Sequence, residues 1–299
     1  MKNEAASVLE RLKNQSRKEG ITFQMALQLF CQEEFLRRLG KSEYAEHFVL
    51  KGGMFVYTLT GFDSRVTKDI DFLVRNLSND LSTIETVMAK ICDEQFKASL
   101  ITLTVLSSER IAIEKKYPGV RIKLMGRIGN VRVPFSVDVG IDDVVFPLPK
   151  KRKITTRLPD FVSPEIYTYS LESAVAEKLD AILQRMETTS RMKDFYDIYY
   201  LSKVFDFDGE TLSKAIQATL SHRKRVLNPE AFDEILEFGK SPVMMIRWKA
   251  FEPAQNPTLD FNEVLKEIAI FLEPVYHAVL KEDPFVLAWN HEQGAWNPR

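Results

Sequence analysis

Residues 47–74 read HFVLKGGMFVYTLTGFDSRVTKDIDFLV. The run 47–50 has the apolar character of a short strand and stops at Gly52-Gly53; Met54 to Leu59 then suits a turn or more of helix. Glycines between a strand and a helix let the backbone approach a phosphate closely, and the free amides of a helix start attract anions. A second strand is expected at Ile70 to Val74, and it begins with Asp69-Ile70-Asp71. A strand alternates its faces, so Asp69 and Asp71 share one side while Ile70 and Phe72 turn to the core. Two carboxylates held that close repel unless a cation sits between them or one takes a proton. Magnesium is the usual cation, because it takes hard oxygen ligands and bridges to phosphates. Most isolated pairs of this spacing are solvated surface charges. Here Ile70, Phe72, Leu73 and Val74 put the pair on a core strand, and it reads as a metal site for phosphoryl or nucleotidyl transfer.

Around this stretch the periodicity predicts helices over 3–16 and 22–38, the second with charge at Glu33, Glu34, Arg37 and Arg38. A further helix is expected from Leu81 to Phe96. Strands are expected over 100–106, 119–125 and 131–139, with Gly129-Asn130 as a hairpin turn between the last two. Val133, Phe135, Val137 and Val139 alternate against Pro134, Ser136 and Asp138. If this strand pairs with 70–74, Asp138 can join the metal cluster as a third ligand; otherwise it is a polar residue on a half-exposed strand. Asp142 and Asp143, in the following loop, are weaker candidates.

The segment 146–160, FPLPKKRKITTRLPD, combines three prolines with a basic run and marks the expected boundary. It separates an α/β domain with N-terminal helices, 1–155, from a helical domain, 156–299. Helices are expected over about 170–186, 191–204, 209–221, 229–240 and 261–281. In the first of these Lys178 lies beside the apolar stripe Val175, Leu179, Ile182, Leu183, among small residues. Asp194 and Asp197, at i and i+3, share one face of the next.

The 299 residues are 45% hydrophobic and 28% charged, a mix that can bury a sizeable core. The 41 basic and 42 acidic side chains nearly cancel, so any nucleic-acid contact must come from a local patch. Cys31 and Cys92 sit in apolar-periodic stretches and read as reduced core thiols, not a disulfide framework. The four histidines show no zinc-ligand spacing. The opening MKNEAASVLERLKNQ is charged throughout, unlike a secretory signal. No apolar run nears the roughly 20 residues needed to span a bilayer. A cytoplasmic protein is expected.

Four strings in order, LKGG (50–53), TKDIDF (67–72), AEKL (176–179) and KDFYD (193–197), resemble the AbiEii nucleotidyltransferase toxin family. That family forms the toxin half of abortive-infection and type IV toxin–antitoxin systems, within the DNA polymerase β-like nucleotidyltransferases. The resemblance runs from about residue 20 to 205. It implies an α+β fold: a polymerase β-like domain with a small mixed sheet, then an all-helical domain completing the active-site cleft. It implies Mg²⁺ on Asp69 and Asp71, with Asp138 as third ligand or as base toward a hydroxyl. Lys51, Gly52 and Gly53 would bind the nucleotide, with the glycine amides cradling its triphosphate. Lys178 would pair with the β/γ-phosphates, and Asp194 would orient Lys178 or contact the nucleotide. The implied substrates are an NTP and an RNA acceptor, foremost a tRNA 3′ end, whose backbone the basic run Lys150, Lys151, Arg152, Lys153 and Arg157 could contact; the alternative for this run is a solvated linker. A cognate antitoxin is implied that need not bind the toxin directly, with a role in phage defence. Two positions depart from the family pattern. Met54 stands where a small hydroxyl residue is usual, and Ile182 and Leu183 stand where an acidic residue or Thr follows the lysine. Transfer to a protein hydroxyl or a small molecule, and a non-catalytic nucleotide-binding toxin, are the alternatives.

Overall fold

A computed structural model describes residues 2–94, 100–111, 118–141, 143–251 and 258–299. The chain divides into two compact units, Met1–Asp142 with Lys150–Thr168, and Asp143–Pro149 with Tyr169–Arg299. The segment 146–160 is thus shared: its first residues belong to the helical unit and its basic run to the sheet unit.

The first unit contains α1 (Lys2–Lys18), α2 (Phe23–Lys41), β1 (Phe48–Lys51), α3 (Gly52–Leu59), β2 (Ile70–Val74), α4 (Leu81–Asp93), β3 (Ile101–Ile111), β4 (Gly119–Ile128), β5 (Val131–Gly140), β6 (Lys150–Lys153) and β7 (Glu165–Thr168). The expected helix end at Phe96 and the candidate Asp142 lie outside the described residues. The strands form one seven-stranded mixed sheet in the order β3-β4-β5-β2-β1-β7-β6. β2 lies at its centre, antiparallel to β1 and parallel to β5. Gly129, at φ +58°, and Asn130 close the tight β4–β5 hairpin. A two-residue loop of this kind takes a left-handed first position, which suits glycine. The core is aromatic: Phe72 of β2 meets Phe48 edge-on at 5.6 Å and Phe35 of α2 at 6.2 Å between ring centroids. Edge-on contact sets the positive rim of one ring against the negative face of the other.

Thr22 caps α2, accepting a hydrogen bond from the Met25 amide, as hydroxyl residues at helix starts do. The helix buries its charges as well as its apolar face. Glu33, Glu34, Arg37 and Arg38 are all buried, because they neutralise one another and their neighbours. Glu34 accepts from Nε of both Arg37, at 2.9 Å, and Arg38, at 3.0 Å. Glu33 accepts from the backbone N–H of Arg157 and lies beside its guanidinium. Burial raises the Glu33 carboxyl to about 7, against the pull of Arg157 and Arg37. Cys31 and Cys92 are free and buried, and burial pushes both thiols up to about 12. Thiols so hard to ionise are inert core residues.

The second unit contains α5 (Leu171–Arg185), α6 (Met192–Val204), β8 (Phe207–Asp208), α7 (Gly209–His222), α8 (Ala231–Glu237), α9 (Pro242–Phe251), α10 (Phe261–Lys281), β9 (Leu287–Asn290) and β10 (Ala295–Pro298). Side chains at the helix starts account for where α5, α7 and α10 begin: Ser170, Asp208 and Asp260 accept from first-turn amides. The sequence predicts an all-helical unit, and the structure corrects this. β10, β9 and β8 form a small antiparallel sheet beside the helices. Tryptophans fix it: Trp289 is buried and donates to the Ser202 carbonyl at 2.7 Å, and Trp296 donates to the Phe271 carbonyl at 2.9 Å. No described helix is long and apolar enough to cross a membrane.

Candidate active site

Pairing across the first sheet lines up one row of charged residues. Lys51 of β1 lies opposite Asp71 of β2, Asp71 opposite Asp138 of β5, Asp138 opposite Arg121 of β4, and Arg121 opposite Glu109 of β3. Residues opposite one another in a ladder share a face. The neighbours of Asp71, Ile70 and Phe72, are fully buried on the other face, against α2. Asp69 immediately precedes β2 and is exposed, and Asp71 is half-buried. The carbonyl of Lys68, just before the pair, accepts from the amides of Gln28 and Gln32, each at 2.6 Å. Two glutamines of α2 therefore anchor the entrance to the strand.

Gly52 has φ +66°, a left-handed conformation that strains other residues. It also has no room for a side chain. A Cβ there would collide with the Asp71 carboxylate, whose Cγ and Cβ would lie at 3.0 and 3.1 Å. At Gly53 a Cβ would meet Thr67 at 2.9 and 3.1 Å and Arg65 at 3.3 Å. The strand–helix turn is thus closed directly onto one carboxylate of the pair. Lys51, at the N-cap of α3, makes no side-chain cap to the helix start. Amides at a helix start attract anions in general. Met54 is buried in the core.

Asp138 is gripped by Arg121, with Nε–Oδ1 and Nη2–Oδ2 both at 2.7 Å. This is the two-pronged, charge-assisted geometry that arginine makes with a carboxylate. Arg121 is held further above its ordinary value, chiefly by the bond to Asp138, with smaller contributions from the charges of Asp69 and Glu109. Arg121 is the site residue that pattern reading passes over. The hairpin contains the signal: Ile128 pairs with Val131 across Gly129-Asn130, and counting outward brings Arg121 opposite Asp138.

In the second unit, Lys178 is buried with Asp194 and Asp197. Its Nζ lies 2.5 Å from Asp197 Oδ2 and 3.4 Å from Asp194 Oδ1. Arg191 reaches the other oxygen of Asp194, Nε–Oδ2 2.5 Å. Burial raises the Asp194 carboxyl, but Lys178 and Arg191 more than reverse this and hold it below its ordinary value. An opposite charge at contact outweighs the loss of solvent here. The acidic partner missing four or five residues after Lys178 is supplied from α6. Asp180, close to Lys178 in sequence, is fully buried between Arg223 and Arg225, 2.7 and 2.8 Å away. Asp143 pairs with Arg223 at 2.8 Å.

The basic run separates into two groups. Lys150 to Lys153 form the edge strand β6, with the three lysines exposed. Arg157 does not belong with them. It is 3% exposed, bonded to Glu19 and to the Tyr57 hydroxyl, with its guanidinium 4.8 Å from the Phe62 ring centroid. Both of its terminal amino groups are taken by these partners, so it does not share the availability of the β6 lysines.

No group of three or more His, Cys, Asp or Glu side chains suited to a metal occurs among the described residues. The site fits magnesium as a two-carboxylate site. Magnesium is commonly held by one or two carboxylates, with water and substrate phosphates completing its shell.

The first unit is thus a mixed sheet in which one aspartate of the pair lies on β2 and the other just before it, beside a diglycine turn. The model of the nucleotidyl transferase AbiEii toxin family, type IV toxin–antitoxin system, matches residues 34–267. The chain belongs to this family of nucleotidyltransferase toxins. Among solved structures, it is similar in fold to MenT4, a nucleotidyltransferase toxin from Mycobacterium tuberculosis H37Rv. The TM-score is 0.54 at 18% identity, over 91% of this chain and 99% of that one. JHP933 from Helicobacter pylori matches with a TM-score of 0.49 at 12% identity, over 87% of this chain and 95% of that one. No curated protein matches the sequence.

Proposed function

We propose that the protein transfers a nucleotide from an NTP to a hydroxyl of RNA, foremost a tRNA 3′ end, and so arrests growth in a cytoplasmic, phage-defensive toxin–antitoxin system. The observation that carries the reading is the Asp71 carboxylate closed onto the Gly52 turn. That proximity supports the reading, because in-line transfer from a triphosphate requires a phosphate cradle and a metal-binding carboxylate at one point.

Asp69 and Asp71 would hold Mg²⁺, which when bound neutralises phosphate charge and polarises the phosphoryl oxygens. The amides at Gly52 and Gly53, with Lys51 beside them, receive the triphosphate. In the second unit Lys178 is the candidate cation for a phosphate, with Asp194 and Asp197 orienting its ammonium. Asp138 acts through Arg121: the pair keeps a cation beside Asp69, where negative charge gathers when a triphosphate binds. The exposed lysines of β6 support an RNA acceptor, since neutralising backbone phosphates is the main source of RNA affinity. The antitoxin need not touch the protein.

Incubating the protein with labelled NTPs, Mg²⁺ and either total RNA or lysate protein tests the acceptor class. Label in RNA is expected. Label in protein alone would reject the RNA reading and retain transfer.

A further inference from the structure

A groove of about 570 Å³ runs in the first unit between the end of α2, β6, the loop 159–164 and the start of β7. Lys41 of α2 and Lys151 and Lys153 of β6 line it. Arg37, also in its lining, is 3% exposed. Its Nε donates to Glu34 at 2.9 Å, and the guanidinium lies 5.8 Å from the Phe30 ring centroid and 5.3 Å from that of Phe161. Both terminal amino groups are out of water and have no hydrogen-bond partner, and the Glu33 carboxylate stands 4.0 Å from Nη1.

A buried guanidinium with two unmade sets of bonds is costly to keep unless an anion visits. Glu34 and Glu33 offset much of its charge, so what Arg37 offers the groove is its unmade N–H bonds, beside the lysines that supply the net positive charge. Of the acidic groups in the lining, Asp160 is already engaged by Arg11, leaving Glu165. Lys151 and Lys153, two residues apart on a strand, are spaced by about 6.6 Å, which suits successive phosphates of one strand better than a single anion. The groove is separate from the carboxylate site. Arg37 belongs to α2, which packs on the Phe72 face of the sheet, whereas Asp71 and Asp138 lie on the other.

We propose that this groove binds backbone phosphates of the acceptor RNA, with Arg37 as the buried cation beneath them. The inference rests on the RNA reading above. Anisotropy of a labelled single-stranded RNA, titrated with the full chain at several salt concentrations, tests it. The K151Q/K153Q variant should lower the slope of log K against log salt by about 1.4, at about 0.7 for each lost phosphate contact. R37M, checked for folding by circular dichroism, should also weaken RNA binding, and both variants should keep wild-type affinity for NTP. An unchanged slope in the folded K151Q/K153Q protein overturns the proposal. So does an unchanged RNA slope with lost binding of inorganic phosphate, which would make the groove a small-anion site. D71N separates the two readings, because it should lose transfer and keep the wild-type slope. Wild-type protein that binds RNA through the groove but transfers nothing refutes the transferase reading alone.

Discussion

At Gly52 two demands coincide, a left-handed backbone and a carboxylate where a side chain would stand. Gly52→Ala should therefore cost about 1–2 kcal/mol from the backbone alone and also displace Asp71. Gly20 provides the control: its φ is +68° but a Cβ there would meet nothing within 4 Å. Gly20→Ala should lower the melting temperature comparably and leave nucleotide transfer intact, whereas Gly52→Ala should lose both; equal activity in the two variants would detach the turn from the chemistry. Lys178 poses a different problem. Lys178→Met leaves Asp194 and Asp197 buried with less compensation, and breaking such a pair costs about 3–5 kcal/mol. Denaturant unfolding should show that loss before any assay does. The lowered Asp194 carboxyl stabilises the fold at pH above its unfolded value, about 3.9, and that stability disappears as pH falls through the lowered folded value. Asp194→Asn should flatten the acid limb of the stability curve. Single residues are the most legible level of this chain. Asp69 and Asp71 stand out because they are carboxylates at an apolar strand, and Gly52 because it separates a strand from a helix; Lys178 by pattern alone would reach out to water, and its role comes from the family resemblance. Asp197, by contrast, reads as an ordinary helix charge, because its partner Lys178 lies on another helix.

At the scale of elements, α2 differs most from its sequence pattern. Its charges look like a solvent face but form a buried network with Arg157, a residue 124 positions away from Glu33. Periodicity cannot register a partner that distant. Glu33 gives this network a pH signature. Its folded carboxyl is near 7, above the unfolded value of about 4.3. Its stabilising contribution is therefore full below the unfolded value and is lost as pH rises through the folded one. Melting temperatures measured from pH 5 to 8 should fall in the wild type and stay flatter in Glu33→Gln; parallel curves would rule out Glu33 as the source. The β4–β5 hairpin behaves in the opposite way. Gly129-Asn130 fixes its register, and with it the Arg121–Asp138 pair, from local sequence alone.

At the scale of the whole molecule, the sheet unit is legible because its strands carry strong alternation and its motifs carry chemistry. β6 and β7 are not. A run of four basic residues has no apolar face and finds its place only by pairing at a sheet edge, where lysines are well tolerated. The small sheet of the helical unit is equally hidden: β8 has two residues, and the sheet's order depends on Trp289 and Trp296 packing on distant helices. The central claim is that Asp69 and Asp71 carry metal-assisted nucleotidyl transfer. Its most direct measurement is incorporation of α-labelled nucleotide into total RNA by wild type, Asp69→Asn and Asp71→Asn, each with Mg²⁺ and with chelator. Loss of a ligand to a metal that stabilises the transition state should reduce the initial rate by more than about 100-fold in both folded variants, and chelator should abolish it in the wild type. Wild-type rates in either variant, or transfer that survives chelation, would contradict the account.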